Sequence, residues 1–286
     1  MLVQILISGL TVGSIYALLG LALVLIHKAT EVVNFAQGEM ATFNTFVAFA
    51  LLKSVGLPLP IVFLLGFPIG FLMATFIERI VIRPLTGSPP VNLLIVAIGL
   101  FIILNNTVGW IWGYDPYTFP SLLPKNPVDL LGARISPNSL GIIGVSLLLM
   151  AALYVFFEYT REGTAMRAAS MNKRAAELMG IRVPRVSTMS WALAGGISMV
   201  SGMLVAPILF LDFEMMVSVL IKAFAGAILG GFNSLPGSVL GGLTIGVLEN
   251  LFGAYVSTAF KDSFAFFVII VVLMFRPAGL FTRSKA

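Results

Sequence analysis

Nine mostly apolar runs recur along the chain, at about 2–26, 32–52, 59–82, 91–112, 139–157, 186–210, 215–231, 237–257 and 263–275. As a helix rising about 1.5 Å per residue, each is roughly long enough to cross a hydrocarbon core about 30 Å thick, allowing for tilt. The seventh and ninth are short. Lipid offers no hydrogen bonds to the backbone, so such runs must satisfy their own N–H and C=O groups as helices. The pattern predicts an all-α polytopic membrane protein of about nine spans (eight to ten), forming one transmembrane domain over 1–286. The first run lacks a basic leader and is too long for a signal-peptide core, so it is expected to span. Only two connections are long, 113–138 and 158–185.

Composition agrees with the pattern. The 286 residues are 59% hydrophobic and 10% charged, with a mean hydropathy of +1.04. Soluble domains carry about 25% charge. The net charge of +5 falls mostly in short loops, which orients a membrane protein and is no nucleic-acid footprint. With the N-terminus outside, twelve Lys and Arg fall on the inner side: Lys28, Arg79, Arg83, six in 158–185, Arg276, Arg283 and Lys285. Four fall outside, Lys53, Lys125, Arg134 and Lys261, while Lys222 lies within a run. This bias predicts N-out, C-in. Cysteine is absent and His27 is the single histidine, so no zinc or iron constellation can be assembled.

Several polar side chains interrupt the apolar runs. Asn34, Gln37 and Glu39 stand beside Gly38 near the start of the second run, and Lys222, Glu249 and Asn250 lie late in the chain. Asn105 and Asn106 add uncharged polarity to the fourth run. Such groups are expensive in lipid and must face protein, water or one another. Two readings of 32–40 stay open: a helix starting at the interface with Asn34 as N-cap, or a broken helix lining a cavity. The Gly/Asn/Ser/Pro stretch 230–237 is likewise either a tight cytoplasmic hairpin or a re-entrant break. Lys222 needs a carboxylate partner, and Glu39 or Glu249 can supply it. Both pairing and a place along a translocation path are compatible with these positions. The Gly237–Gly241 and Gly242–Gly246 spacings are GxxxG, which permits close helix approach. Pro68 and Pro207 are expected to kink their spans.

The loop 113–138 holds five prolines, with Trp110, Trp112, Tyr114 and Tyr117 at its entry. It is either a stiff connector or an external docking surface. The stretch 158–185 carries six of the 17 basic residues. Thr160 is a plausible N-cap there, and Asn172 a break and second N-cap. A short helix over 173–179 follows, stopped by Gly180 with Pro184 beyond. It comprises Lys173, Arg174, Ala175, Ala176, Glu177, Leu178 and Met179. Arg167, Met171, Arg174 and Leu178 are spaced to share one face. Such a helix either docks into a groove on another protein or merely sets topology.

Several motifs carry a resemblance. Ala175-Ala176-Glu177 followed by Gly180, Ile181 and Pro184 resembles the cytoplasmic coupling loop of ABC-importer permeases. VVNFAQGEM at 32–40, IERIVIRPLTGSP at 77–89, IKAFAGAILGGFNSLPGSVLGG at 221–242, GVLENLFGAYVSTAFKD at 246–262 and RPAGLF at 276–281 resemble, in order, segments of the high-affinity branched-chain amino acid permease family. Two departures are Gln37, where that family often has His, and Phe232-Asn233, where a small pair with Gly is commoner. The resemblance implies an importer permease of the bacterial inner membrane. It implies a homologous second permease subunit, two cytoplasmic ATPases that hold ATP and Mg, and a periplasmic binding protein. It also implies that residues Lys173 to Gly180 couple to the ATPases. The chain has no Gly-Lys pair and hence no P-loop, so no cofactor of its own is expected. The competing reading is a stand-alone secondary transporter or channel for small polar solutes, with Glu39 and Glu249 as ion sites.

Overall fold

A computed structural model describes residues 2–124, 126–130, 133–276 and 279–280. Lys125, Arg283 and Lys285, and part of the 276–281 motif, lie outside the described residues. Among the described residues the nine apolar runs appear as nine apolar helices, and two short helices occupy the basic loop. They are α1 (Leu2–Thr30), α2 (Gln37–Lys53), α3 (Leu59–Ile77), α4 (Pro90–Trp112), α5 (Pro137–Tyr159), α6 (Arg161–Met171), α7 (Lys173–Leu178), α8 (Val183–Leu209), α9 (Met215–Gly230), α10 (Leu235–Tyr255) and α11 (Ser263–Phe275). Helix α3 continues through a π-helical turn, Glu78–Ile82, and a 3₁₀ turn, Arg83–Leu85. Among the described residues six helices are long and apolar enough to cross a membrane: α1, α3 with its extension, α4, α5, α8 and α10. Helices α2, α9 and α11 have 17, 16 and 13 residues. They reach only about 26, 24 and 20 Å.

Start signals explain the helix entries. Helices α3, α4, α5, α8 and α10 each carry Pro in their first two positions, where its missing N–H costs nothing. Ser234 caps α10 by accepting a hydrogen bond from the Gly237 N–H at 3.0 Å. Helix α9 stops at Gly231, whose φ of +100° closes the tight turn into α10. Pro68 and Pro207 lie inside helices that continue through them.

Several details of the expected elements change. The second helix begins at Gln37 rather than 32, because residues 32–36, though partly apolar, run outside the helix after a left-handed Glu31 (φ +63°). Its N-cap is Ala36, so Asn34 is not the cap. The architecture is all-α as expected, but the loop 113–138, read as a connector or docking surface, also contains a short antiparallel pair, β1 (Val128–Leu130) with β2 (Ala133–Ile135). In the basic stretch Asn172 separates α6 from α7, so Arg167 and Met171 do not continue the face of Arg174 and Leu178. Helix α7 also ends one residue early, with Met179 as C-cap.

The bundle is built around α1 and α8, whose central stretches, 13–26 and 190–206, are continuously buried. Helix α1 packs on α10, α8, α9 and α5, and α8 packs on α3, α1 and α2. The outer flanks of α3, α4, α5 and α11 present apolar side chains such as Leu72, Phe76, Ile103, Leu148 and Met274. Lipid or another membrane chain must cover them. Small residues let the inner helices touch. A Cβ on Gly242 would lie 2.5 Å from the Ala17 Cα, and one on Gly226 2.6 Å from the Gly242 Cα. Gly246 meets Gly13 in the same way, and Gly70 meets Gly195 between α3 and α8. Gly246→Val should therefore push α1 from α10 and cost about 1–3 kcal/mol or more. Gly144, with open space at its Cβ position, is the control. Thermal unfolding in detergent should show a clear drop for Gly246→Val and none for Gly144→Ala; equal melting temperatures would refute the seam.

Candidate functional site

The polar side chains sort into one basic end and three buried centres. At the basic end, Thr160 Oγ1 accepts from the Gly163 N–H and Asn172 Oδ1 from the Ala175 N–H, both at 3.0 Å. These caps fix where α6 and α7 begin. Gly180, at φ +84°, takes the backbone out of α7 in the left-handed region that glycine tolerates. Ala176 is buried and anchors α7, while Met171, Leu178 and Met179 are 82%, 84% and 83% exposed. Lys173 Nζ pairs with Glu31 at 2.9 Å, just beyond α1. This ammonium holds the Glu31 carboxyl below the usual carboxylate range. Lys28 Nζ donates to the Asn233 carbonyl at 3.1 Å, and the Leu280 N–H to the Leu229 carbonyl at 2.8 Å. Arg185 pairs with Glu162 at 2.7 Å, and Arg167 with Glu158. The ends of α1 and α9, the 158–185 stretch and residue 280 thus share one end of the bundle.

The first buried centre joins α2 to α8. Asn34 Nδ2 donates to Gln37 Oε1 at 3.0 Å, and Gln37 Nε2 donates to the Ala194 carbonyl at 3.2 Å and to Ser198 Oγ. The Gln37 amide is therefore spent on both sides, as a buried amide must be. The second centre is Glu39, fully buried. Asn105 Nδ2 donates to its Oε2 at 3.2 Å and to the Phe213 carbonyl at 3.2 Å, and Glu39 Oε1 has no protein partner.

The third centre is an ionic cluster. Lys222 Nζ lies 2.8 Å from Glu249 Oε1 and 2.7 Å from Asp262 Oδ1, joining α9, α10 and the start of α11. The Tyr16 ring of α1 lies 6.0 Å from the same ammonium. Of the two carboxylates open to Lys222 from sequence, Glu249 is the partner, and Glu39 is not. Asn250 stands beside the cluster but has its own contacts, donating to the Gly246 carbonyl at 2.9 Å and accepting from Lys261 Nζ at 3.2 Å. Sequence reasoning missed Asp262 as a partner. Its placement just before a short apolar helix was the available signal, since a helix start is where an acid is favoured.

The loop 113–138 is stapled to the bundle. The backbones of Tyr117 and Leu211 exchange hydrogen bonds of 2.9 and 2.8 Å, and the Tyr117 hydroxyl donates to the Trp112 carbonyl at 2.6 Å. Tyr117 also packs on Phe46 and Phe49. No cluster of three or more metal-ligating side chains occurs among the described residues.

An apolar helical bundle with six helices long and apolar enough to cross a membrane among the described residues, and a capped, exposed helix at its basic end, defines a polytopic membrane protein. The chain belongs to the branched-chain amino acid transport system permease component family, which it matches over residues 5–273. It is 32% identical to the high-affinity branched-chain amino acid transport system permease protein LivH of Escherichia coli K12, over 99% of this chain and 96% of that protein. It is 34% identical to BraD of Pseudomonas aeruginosa, a permease protein of the same description, with the same coverage. A probable LivH of Methanocaldococcus jannaschii is 28% identical over 97% of this chain and 91% of that one. The fold is shared with PsaBC from Streptococcus pneumoniae, solved in complex with Fab. The TM-score is 0.54 at 15% identity, over 96% of this chain and 91% of that chain.

The ionic cluster makes two predictions. Lys222→Met leaves Glu249 buried and unpaired, and should cost about 3–5 kcal/mol; Lys222→Met with Glu249→Gln should recover most of it. Denaturant unfolding of both variants in detergent checks the pair, and equal losses would refute it. Asp262 lies outside the spans, and the Lys222 ammonium holds its carboxyl below the ordinary value. Its folded value is below its unfolded value, so the link contributes above about pH 3.9 and is lost as pH falls through the folded value. Melting curves of the native chain and Asp262→Asn should differ at pH 7 and converge in acid.

Proposed function

We propose that the chain is the permease subunit of an ATP-driven importer that carries branched-chain or related amino acids across a bacterial inner membrane by alternating access. Family membership supports the substrate class, and the exposed α7 supports an external source of energy. The permease has its N-terminus outside and its C-terminus inside. Its nine apolar helices are the spans, with α2 and α9 bounded by the irregular stretches at 32–36 and 231–234. The shared end of Lys28, Asn233 and the 158–185 stretch is the cytoplasmic one, in agreement with the charge bias. Two ATPase subunits, carrying ATP and Mg, receive the tip formed by Lys173 to Gly180. A homologous permease subunit covers part of the apolar flanks and lipid covers the rest, the α3 flank of Leu72, Phe76 and Ile80 among it; a periplasmic binding protein delivers substrate to the stapled loop at 113–138.

The single observation that carries the coupling role is the α7 tip. Leu178 and Met179 stand more than four-fifths exposed on a short element fixed by Asn172, Ala176 and Gly180, and Met171 at the end of α6 is equally exposed. Apolar side chains held out in water on a rigid mount are what a docking contact needs. Asn34, Gln37, Glu39, Lys222, Glu249 and Asn250 then serve the bundle near the path. The stand-alone reading requires Glu39 and Glu249 as ion sites, and Lys222 already neutralises Glu249.

Arg174→Glu with Leu178→Asp tests the role. Both side chains are exposed, so stability should change by no more than about 0.5 kcal/mol. Copurification of the ATPases and substrate-stimulated ATP hydrolysis should fall at least tenfold. Retention of both, with the chain folded, would overturn the proposal.

A further inference from the structure

A groove of about 700 Å³ runs between α3 and α8 at the basic end. One wall is a single face of α3, set by steps of four residues: Phe71, Thr75, Arg79 and Arg83. Met189 and Ala192 of α8 face it, with Arg182 and Arg185 at the mouth. From Arg83 to Phe71 the groove climbs about 18 Å along α3. It is therefore cationic at the water boundary and apolar at hydrocarbon depth.

The arginines differ in what they have left to give. Glu78 is buried in the π-helical turn and accepts from Arg83 at 3.2 Å and from the Thr188 hydroxyl at 3.0 Å; Arg83 also donates to Thr188. Arg83 is so clamped, yet its buried Nε–H has no partner. Arg185 is paired with Glu162. Arg79 and Arg182 are exposed and make no ion pair among the described residues. One carboxylate, Glu177, shares the rim with them.

We propose that this groove binds an anionic phospholipid, with the phosphate held by Arg79 and Arg182 and one acyl chain laid toward Phe71 and Ala192. Guanidinium forks match phosphate oxygens, and basic pockets between spans suit anionic headgroups. Depth favours lipid over a soluble protein. A cytoplasmic partner reaches the arginine mouth, but Phe71 and Ala192 lie two to three helical turns further in. The adjoining outer flank of α3, Leu72, Phe76 and Ile80, is exposed and apolar, so acyl chains already border the groove. The proposal stands apart from the importer assignment, because it needs only the bundle and a membrane.

The full chain, purified from mixed phosphatidylglycerol and phosphatidylcholine, tests this by native mass spectrometry of retained lipid. The wild type should retain phosphatidylglycerol in preference. Arg79→Gln with Arg182→Gln should lower that preference about tenfold or more, at roughly fivefold per arginine. Arg79→Lys with Arg182→Lys should keep most of it. Thr75→Trp fills the groove while leaving the arginines and should also release the lipid, which separates the site from a general effect of charge. Millimolar glycerol phosphate should not displace it. An unchanged lipid preference in the Gln pair would overturn the proposal. Displacement by glycerol phosphate would make the site one for free phosphate. Loss of a bound protein chain with lipid retention intact would make it a protein-docking surface.

Discussion

The close approach of α1 to α10 is the constraint on which the rest of the bundle depends. Lipid gives helices no hydrophobic reason to associate, so packing and buried polar contacts must hold them together. Gly242 against Ala17, Gly246 against Gly13 and Gly226 against Gly242 bring three helices to backbone distance. That approach is what places Lys222 of α9 within reach of Glu249 on α10 and sets Tyr16 of α1 beside them. The ion cluster is thus a consequence of the seam. A lysine on a helix held a few ångströms further away would have no carboxylate to meet, and the charges would not be tolerated.

The buried polar centres are unequal. The Gln37 amide is fully satisfied and so acts as a lock between α2 and α8. The Lys222 cluster is neutralised on one side by buried Glu249 and on the other by exposed Asp262. The second partner reaches water, which lowers the desolvation penalty of the cluster compared with one closed on all sides. Glu39 keeps one carboxylate oxygen without a protein partner in a fully buried position. It is the centre whose chemistry is least used by the fold.

Much of this was legible in the sequence because it is local. Nine apolar runs became nine helices, and Thr160, Asn172 and Gly180 punctuate the basic stretch where capping chemistry puts them. Boundaries slipped where hydropathy and backbone disagree. Val32 and Val33 read as membrane-embedded, yet the left-handed Glu31 delays the helix to Gln37. The two short strands escaped because proline-rich composition reports stiffness rather than pairing. Choosing Glu249 over Glu39 as the lysine's partner required knowing which helices touch, and hydropathy says nothing about that. The glycine spacings announced close packing on α10 but not its partners, α1 and α9.

The same separation of local from long-range bears on how movement at the proposed coupling tip reaches the spans. Two links run inward from α7. One is the Lys173–Glu31 pair, which touches the chain just past α1. Its carboxylate is largely exposed, and pairs of that kind contribute about 0–1 kcal/mol, too little to carry a load. The other is packing. Met166, Ala169 and Ala176 are buried, and Gly163 brings α6 against the backbone of Phe157 at the end of α5. Close-packed apolar contact resists displacement in every direction, whereas an exposed ion pair re-forms with water at little cost. Under the proposed coupling, the α5–α6 contact is therefore the mechanical link, and the Lys173–Glu31 pair sets only the register of α7 against α1. Movement entering at the tip is delivered first to α5 and α8. It reaches the glycine seam through α1, which packs on both.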